Sequence, residues 1–183
     1  MIVRKLTPWE WEALRAHLLR LGPEERRMRF CRPVSDAAIH AYCDRIDRPR
    51  TTILGCFIDG ALRAVAELIL IPDEWPMNAE IALSVEKPFQ RQGIGGRLLG
   101  QVLLVARNRL IRTVHLISLS ENEAMQHLAR EFGASIEVHV ETAQGRIGLA
   151  WPSYLSLVEE LSADGHALIG AVFELSAKKA ATG

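Results

Sequence analysis

The sequence predicts an α/β (α+β) fold, a mixed and mostly antiparallel sheet flanked by helices. Three observations carry this prediction. Segments with helical apolar spacing alternate with β-leaning runs. Two apolar runs flank Asp59-Gly60, a strong two-residue hairpin signal. A strand-like run from residue 79 ends in a glycine-rich turn that opens into an apolar helical pattern.

Taken in order, residues 2–6 suit a short first strand. Thr7-Pro8-Trp9-Glu10 combines a capping-box pattern with a proline at the first helical position. Trp11, Leu14, Leu18 and Leu21 follow at helical spacing, and Gly22-Pro23 stops them. Residues 23–34 read as irregular. Ser35-Asp36 opens a second helix carrying Ile39, Tyr42, Cys43 and Ile46 on one face. Residues 51–58 and 61–71 form the hairpin, residues 72–78 a loop, and residues 79–85 a further strand. The glycine turn and a helix to about Leu110 come next. Residues 113–119 are a buried-type strand, and Ser120-Glu121-Asn122-Glu123 caps a helix that ends at Gly133. Residues 135–141 and 146–151 read as a hairpin around Gln144-Gly145. Pro152 opens a helical tail, so the expected division is a domain over 1–151 and a helical extension over 152–183.

At 183 residues the chain suits one core, and 49% hydrophobic with 24% charged residues is ordinary for a globular protein. A formal net charge of zero implies no general affinity for nucleic acid or anionic membrane. Arg26, Arg27, Arg29 and Arg32, beside Glu24 and Glu25, read as a solvated, partly paired face. Three cysteines without a Cys-x-x-Cys argue against a disulfide framework and for a reducing cytoplasm. The six histidines have no metal-ligand spacing, and no metal is expected. The first residues lack the apolar region of a signal peptide, and no apolar run suits a membrane span.

The chemistry concentrates at Gln90-Arg91-Gln92-Gly93-Ile94-Gly95-Gly96. Glycines let the backbone turn sharply and approach a ligand. The following helix start leaves N–H groups without intrahelical partners, and with the helix dipole these form an anion site. Arg91 and Arg97 add positive charge there. A glycine-rich turn with no ligand explains the same residues. A Walker loop would need Gly-Lys-Ser/Thr, but Gly96 is followed by Arg97-Leu98; a dinucleotide fingerprint fails on spacing.

Leu83-Ser84-Val85-Glu86-Lys87-Pro88-Phe89-Gln90-Arg91-Gln92-Gly93-Ile94-Gly95 resembles the signature of the GNAT (Gcn5-related N-acetyltransferase) superfamily, Gln/Arg-x-x-Gly-x-Gly/Ala after a Leu-x-Val strand. The strand 116–119, Asn122 and Gly133 match a second family motif, and the resemblance covers roughly residues 1–151. It implies a GNAT-type sheet splayed between the strands 79–85 and 113–119. The pantetheine arm of acetyl-CoA would lie there, beside Leu83, Ser84 and Val85. The pyrophosphate would sit on Gln90, Arg91, Gln92, Gly93, Ile94, Gly95, Gly96 and Arg97, and Asn122 would contact the pantetheine arm. The implied activity is direct transfer of an acetyl group to a primary amine. The alternative is a catalytically weak acyl-CoA-binding regulatory module.

Such transfer needs a base for the ammonium. Glu80, in an Ala-Glu-Ile context, resembles the base of the histone acetyltransferase branch; a plain strand-end carboxylate is the other explanation. Glu67 is the second candidate, a carboxylate in an otherwise apolar strand that could also face solvent. Many members carry a tyrosine seven residues after the helix-start Asn as proton donor to the thiolate; here that position is Ala129. The acceptor is expected among the first two helices, the loop 72–78 and the late hairpin. There Asp73 and Glu74 would attract an amine and Trp75 would pack on it, or else Trp75 tucks into the core. Residues 21–30 and 122–129 also resemble bacterial protein-lysine acetyltransferases, which makes a protein lysine one candidate acceptor. Leu155, Val158, Leu161, Leu168, Val172 and Phe173 in the tail suit either a homodimer interface or packing on the domain itself.

Overall fold

The computed structural model describes residues 1–72 and 75–165. Strand β1 (Ile2–Lys5) leads through a short 3-10 turn into α1 (Trp11–Arg20), α2 (Pro23–Phe30) and α3 (Asp36–Arg45). Then come β2 (Thr51–Ile58), β3 (Ala61–Leu70), β4 (Asn78–Val85), α4 (Ile94–Asn108), β5 (Thr113–Leu119), α5 (Glu123–Glu131), β6 (Ser135–Val138) and β7 (Thr142–Gly148). A last helix, α6, covers 154–165. The strands form one sheet in the order β1-β2-β3-β4-β5-β7-β6. Every neighbouring pair is antiparallel except β4–β5. The predicted mixed, mostly antiparallel sheet flanked by helices is the one observed.

Local chemistry explains the ends of these elements. Asp59 (φ 52°) and Gly60 (φ 71°) both take positive φ, as a two-residue hairpin turn of primed type requires. Gly133 ends α5 at φ 78°. The Ser35 and Asn122 side chains accept from Ala38 N–H and Met125 N–H, capping α3 and α5. Before α1, the Glu10 carboxylate accepts from the Thr7 N–H at 2.9 Å and the Thr7 hydroxyl at 2.8 Å. It also accepts from both Arg4 terminal nitrogens, at 2.7 and 2.5 Å. The bonds from Arg4 are the main cause that holds its pKa down at about 2. A depressed carboxylate stabilises the fold above its unfolded pKa, near 4.5, and that stabilisation disappears as the pH falls toward about 2. Glu10→Gln is therefore expected to cost about 1–3 kcal/mol at pH 7 and almost nothing at pH 2, measured by urea unfolding at both values.

The sheet separates two cores. Against α4, the buried set includes Leu54, Ala66, Leu68, Ile81, Val114 and Leu116 with Leu98, Leu99 and Val102 of the helix. On the other face Leu14 and Leu18 of α1 and Ile39 of α3 pack on Ile53 and Val65.

Three elements differ from expectation. Residues 23–30 are a helix rather than irregular chain. The polar composition hid it, because the residues that turn inward include Arg26 and Arg29. Arg26 donates to the carbonyls of Leu19 (2.7 Å) and Leu21 (2.9 Å), and Arg29 is buried, so the arginine cluster is a solvated face only in part. The late hairpin turns at residues 139–141, and Gln144-Gly145 lies inside β7 opposite Glu137 and Ile136. There Gly145 is a buried strand position beside Ala129 and Leu116, not a turn glycine. Helix α6 packs through its polar side. Ser156, only 2% exposed, donates to Asn108 Oδ1 at 2.6 Å, while Glu160 and Asp164 accept from Lys5 at 2.5 and 2.7 Å. Leu155 and Leu161 consequently point outward, 77% and 72% exposed, and do not pack on the domain. Leu168, Val172 and Phe173 lie outside the described residues, as do Asp73 and Glu74.

Candidate active site

The site begins where two parallel strands part. β4 and β5 share only the register Asn78↔Thr113, Ala79↔Val114 and Glu80↔His115, yet β4 runs on to Val85 and β5 to Leu119. Beyond Glu80 the two strands open a wedge in the sheet.

The backbone parity of β4 decides which groups line that wedge. Glu86 N–H donates to Arg63 C=O and Asn78 C=O accepts from Ile71 N–H, both at 3.0 Å, so even-numbered residues turn their peptide groups toward the β3 side. Leu83 and Val85 therefore turn theirs toward the wedge. The Val85 carbonyl already accepts from the Gln90 side-chain amide at 2.9 Å. Ser84 departs from the expected set. It pairs in register with Val65 of β3, and its hydroxyl lies 2.9 Å from His17 Nε2 beneath α1.

At the wide end of the wedge stands the glycine loop. Arg91 (φ 59°) and Gly93 (φ 74°) adopt left-handed backbone, and Gln92 braces the turn by donating to the Pro88 carbonyl at 3.0 Å. A Cβ at Gly93 would meet nothing within 4 Å, so glycine is needed there for its φ and not for space. Buried Ile94 anchors the helix start. The first capping bond runs from Arg97 N–H to Gly93 C=O at 3.0 Å, which leaves the amides of Ile94, Gly95 and Gly96 without intrahelical partners. Gln90, Arg91, Gln92, Gly93 and Arg97 are exposed around them. The loop thus presents convergent donors, the positive end of the 15-residue α4 and two guanidinium groups. Asn122 stands at the start of α5, its Oδ1 holding the Met125 amide at 3.1 Å.

Across the opening lies α2, the helix that the composition concealed. Arg27 pairs with Glu121, just past the end of β5, and with Glu24 at 2.9 Å. Arg29 reaches the other way, to the Glu67 carboxylate on β3 and the Tyr42 hydroxyl at 3.0 Å. Tyr42 in turn donates to Glu67 Oε2 at 2.7 Å. Glu67 is wholly buried. Burial opposes the Arg29 charge, but Glu67 and Tyr42 outweigh it and keep the guanidinium's pKa above its ordinary value. Burial, reinforced by Glu67, pushes the Tyr42 phenol up as well. Of the two carboxylates nominated as base, Glu67 is thus committed to two partners inside the protein. Glu80 is half-exposed at the apex of the wedge and has no side-chain partner among the described residues.

A network that sequence reading missed holds the end of β4. Glu86 accepts from Arg20 (2.8 Å), Arg63 (3.0 Å) and His17 (3.1 Å). Burial lowers the His17 pKa against the pull of Glu86, so the ring is neutral at pH 7. Glu86 can only accept, which puts the proton on Nδ1 and makes Nε2 the acceptor for the Ser84 hydroxyl. The order hydroxyl, imidazole, carboxylate is that of an activated serine, but all three groups are sealed beneath α1. They fix β4 where Leu83 and Val85 line the wedge. One signal was available: Glu86 directly follows the Leu-x-Val strand.

Ala129 is buried in the core against α4 and offers no proton donor, and Trp75 is 79% exposed rather than tucked away. The three cysteines are free. Among the described residues no group of three or more His, Cys, Asp or Glu is placed to hold a metal, and no helix is long and apolar enough to cross a membrane.

Solved structures share this fold. The GNAT domain of PAT from S. lividans aligns with a TM-score of 0.69 at 24% identity, covering 80% of this chain and 89% of that one. A ribosomal-protein-alanine N-acetyltransferase from Brucella melitensis aligns at 0.64 and 17%, covering 81% and 100%. The structure of yncA from Salmonella typhimurium, solved with its cofactor acetyl-CoA, aligns at 0.62 and 16%, covering 84% and 98%. These likenesses show the fold. No curated protein sequence matches significantly. The sequence profile of the acetyltransferase (GNAT) family matches residues 8–134, most of the chain, with the splayed strands and the glycine loop inside the match. This chain belongs to the acetyltransferase (GNAT) family, whose acyl donor is acetyl-CoA.

Proposed function

We propose that the chain transfers an acetyl group from acetyl-CoA to a primary amine, with a protein lysine as one acceptor class to test. The observation that carries this proposal is the wedge between β4 and β5. It runs from unpartnered helix amides at its wide end to a half-exposed carboxylate at its apex. The pyrophosphate is assigned to the amides of the loop 90–96, with Arg91 and Arg97 beside them. The pantetheine arm is assigned to the wedge, against the peptide groups of Leu83 and Val85, with Asn122 flanking it. Ser84 is left out, since its hydroxyl and its peptide groups are already engaged.

Glu80 is assigned as base, directly or through a water. As the amine nitrogen attacks the thioester carbon, the C–N bond forms, the C–S bond breaks and the amine proton passes toward Glu80. A wedge-facing N–H polarises the carbonyl. Ala129 supplies no acid, so the thiolate leaves unassisted or takes a proton from water. An alkyl thiol of pKa about 8.5 tolerates this.

Acetyl-CoA at 100 times its dissociation constant is expected to stabilise the protein by about 2.7 kcal/mol, a rise of roughly 5–11 °C in Tm at this chain length. Gly93→Val strains the left-handed turn that aims the amides of residues 94–96, and it is expected to remove the rise. A wild-type protein indifferent to acetyl-CoA would contradict the assignment. The buried Ala129 also favours a second reading, a binding module without turnover; thermal stabilisation with no thiol release from any amine would select it.

A further inference from the structure

The apex of the wedge holds charged and polar groups besides the Glu80 carboxylate. Register across the sheet runs Glu80↔His115 and then His115↔Arg146, so β4, β5 and β7 contribute a carboxylate, an imidazole and a guanidinium to one straight row. Register partners in adjacent strands share a face. The neighbours of Arg146 along β7, Gly145 and Ile147, are buried, whereas Arg146 is exposed. The row therefore lies on the face of α1 and α2, opposite α4 and α5. None of the three side chains has a hydrogen-bond or ion-pair partner among the described residues. Glu137, diagonal to Arg146 on β6, forms no ion pair with it.

Nearby on this face the arginines of α2 are committed. Arg29 is paired with Glu67, Arg27 with Glu24 and Glu121, and Arg26 with Asp36. The unpaired anion and cation of the row are two strand spacings apart, about 10 Å between backbones. They are unpaired among the described residues with the His115 position between them, an arrangement that suits a molecule bringing a cation to one and an anion to the other. A guanidinium holds a carboxylate through two parallel hydrogen bonds, which gives such a molecule one orientation.

We infer that Glu80, His115 and Arg146 form one acceptor subsite, and that it takes a primary amine carrying a carboxylate about one lysine stem away. The amine lies at Glu80, the carboxylate at Arg146, and His115 lies along the stem between them. This inference rests on the acetyl-transfer function proposed above. The same chemistry is offered by a free diamino acid and by a peptide lysine beside an acidic residue.

Two matched pairs separate these sources. Free lysine and 1,5-diaminopentane differ only in the carboxylate, as do lysine peptides flanked by Glu or by Gln. Thiol release from acetyl-CoA gives kcat/KM for each. In the wild type the carboxylate-bearing member of at least one pair is expected to be preferred about tenfold or more, and that pair identifies the source. In Arg146→Gln the ratio is expected to collapse toward one, with the acetyl-CoA thermal shift showing the variant folded. Equal kcat/KM within both pairs, or a preference that survives Arg146→Gln, overturns the inference and leaves acetyl transfer standing. No thiol release from any of the four, with the thermal shift present, overturns acetyl transfer and this inference together.

Discussion

Replacing Glu80 by Gln is expected to lower turnover by about 10²–10⁴-fold while acetyl-CoA still raises the melting temperature as in the wild type. The glutamine keeps the size of the side chain and loses its ability to take a proton. Glu80 is half-exposed and unpartnered among the described residues, so the substitution breaks no structural bond, and surface changes of this kind stay within about 0.5 kcal/mol. Loss of activity thus cannot be attributed to loss of fold. Steady-state thiol release and a thermal shift on the same preparation give both readouts. Unchanged turnover would move the base elsewhere, and Glu67 would be the next carboxylate to test.

The second large effect concerns that carboxylate. Arg29→Met is expected to destabilise the protein by about 3–5 kcal/mol, because it leaves the wholly buried Glu67 without its countercharge. At this chain length that is a fall of roughly 6–20 °C in Tm. The double variant Arg29→Met, Glu67→Met is expected to recover much of the loss, since an apolar pair needs no compensation there. Urea unfolding of the single and double variants gives the coupling directly. A single variant within about 1 kcal/mol of wild type would mean that Glu67 is not held by Arg29, and would return it to consideration as a base. The same pair fastens α2 to β3 while Arg27 fastens it to Glu121 beyond β5, so the double variant also shows how far acceptor binding depends on the seat of α2.

Much of the architecture was legible because its signals are local. The turn at Asp59-Gly60 demands two positive φ values, Gly133 ends a helix, and alternating periods separate strands from helices. The glycine loop was legible for the same reason, since a left-handed Gly93 ahead of a helix start is a property of a few consecutive residues. What failed lacked such signals. α2 turns Arg26 and Arg29 inward beside Phe30, and the partners of those arginines are carbonyls, Asp36 and Glu67, the last of them 38 residues beyond Arg29. Gly145 looked like a turn because glycine carries the same letter in a turn and in a strand packed beneath a helix.

The sequence by itself determined the family, most of the element order and the loop that ends β4, because each depends on residues a few positions apart. Only the tertiary structure decided which carboxylate is free. Glu67 and Glu80 look alike in sequence, each the single carboxylate in a largely apolar strand. One faces an arginine and a tyrosine brought in by α2 and α3; the other stands where the β4–β5 pairing ends. Burial and countercharge are properties of packed neighbours, and those neighbours lie 25 to 38 residues away for Glu67.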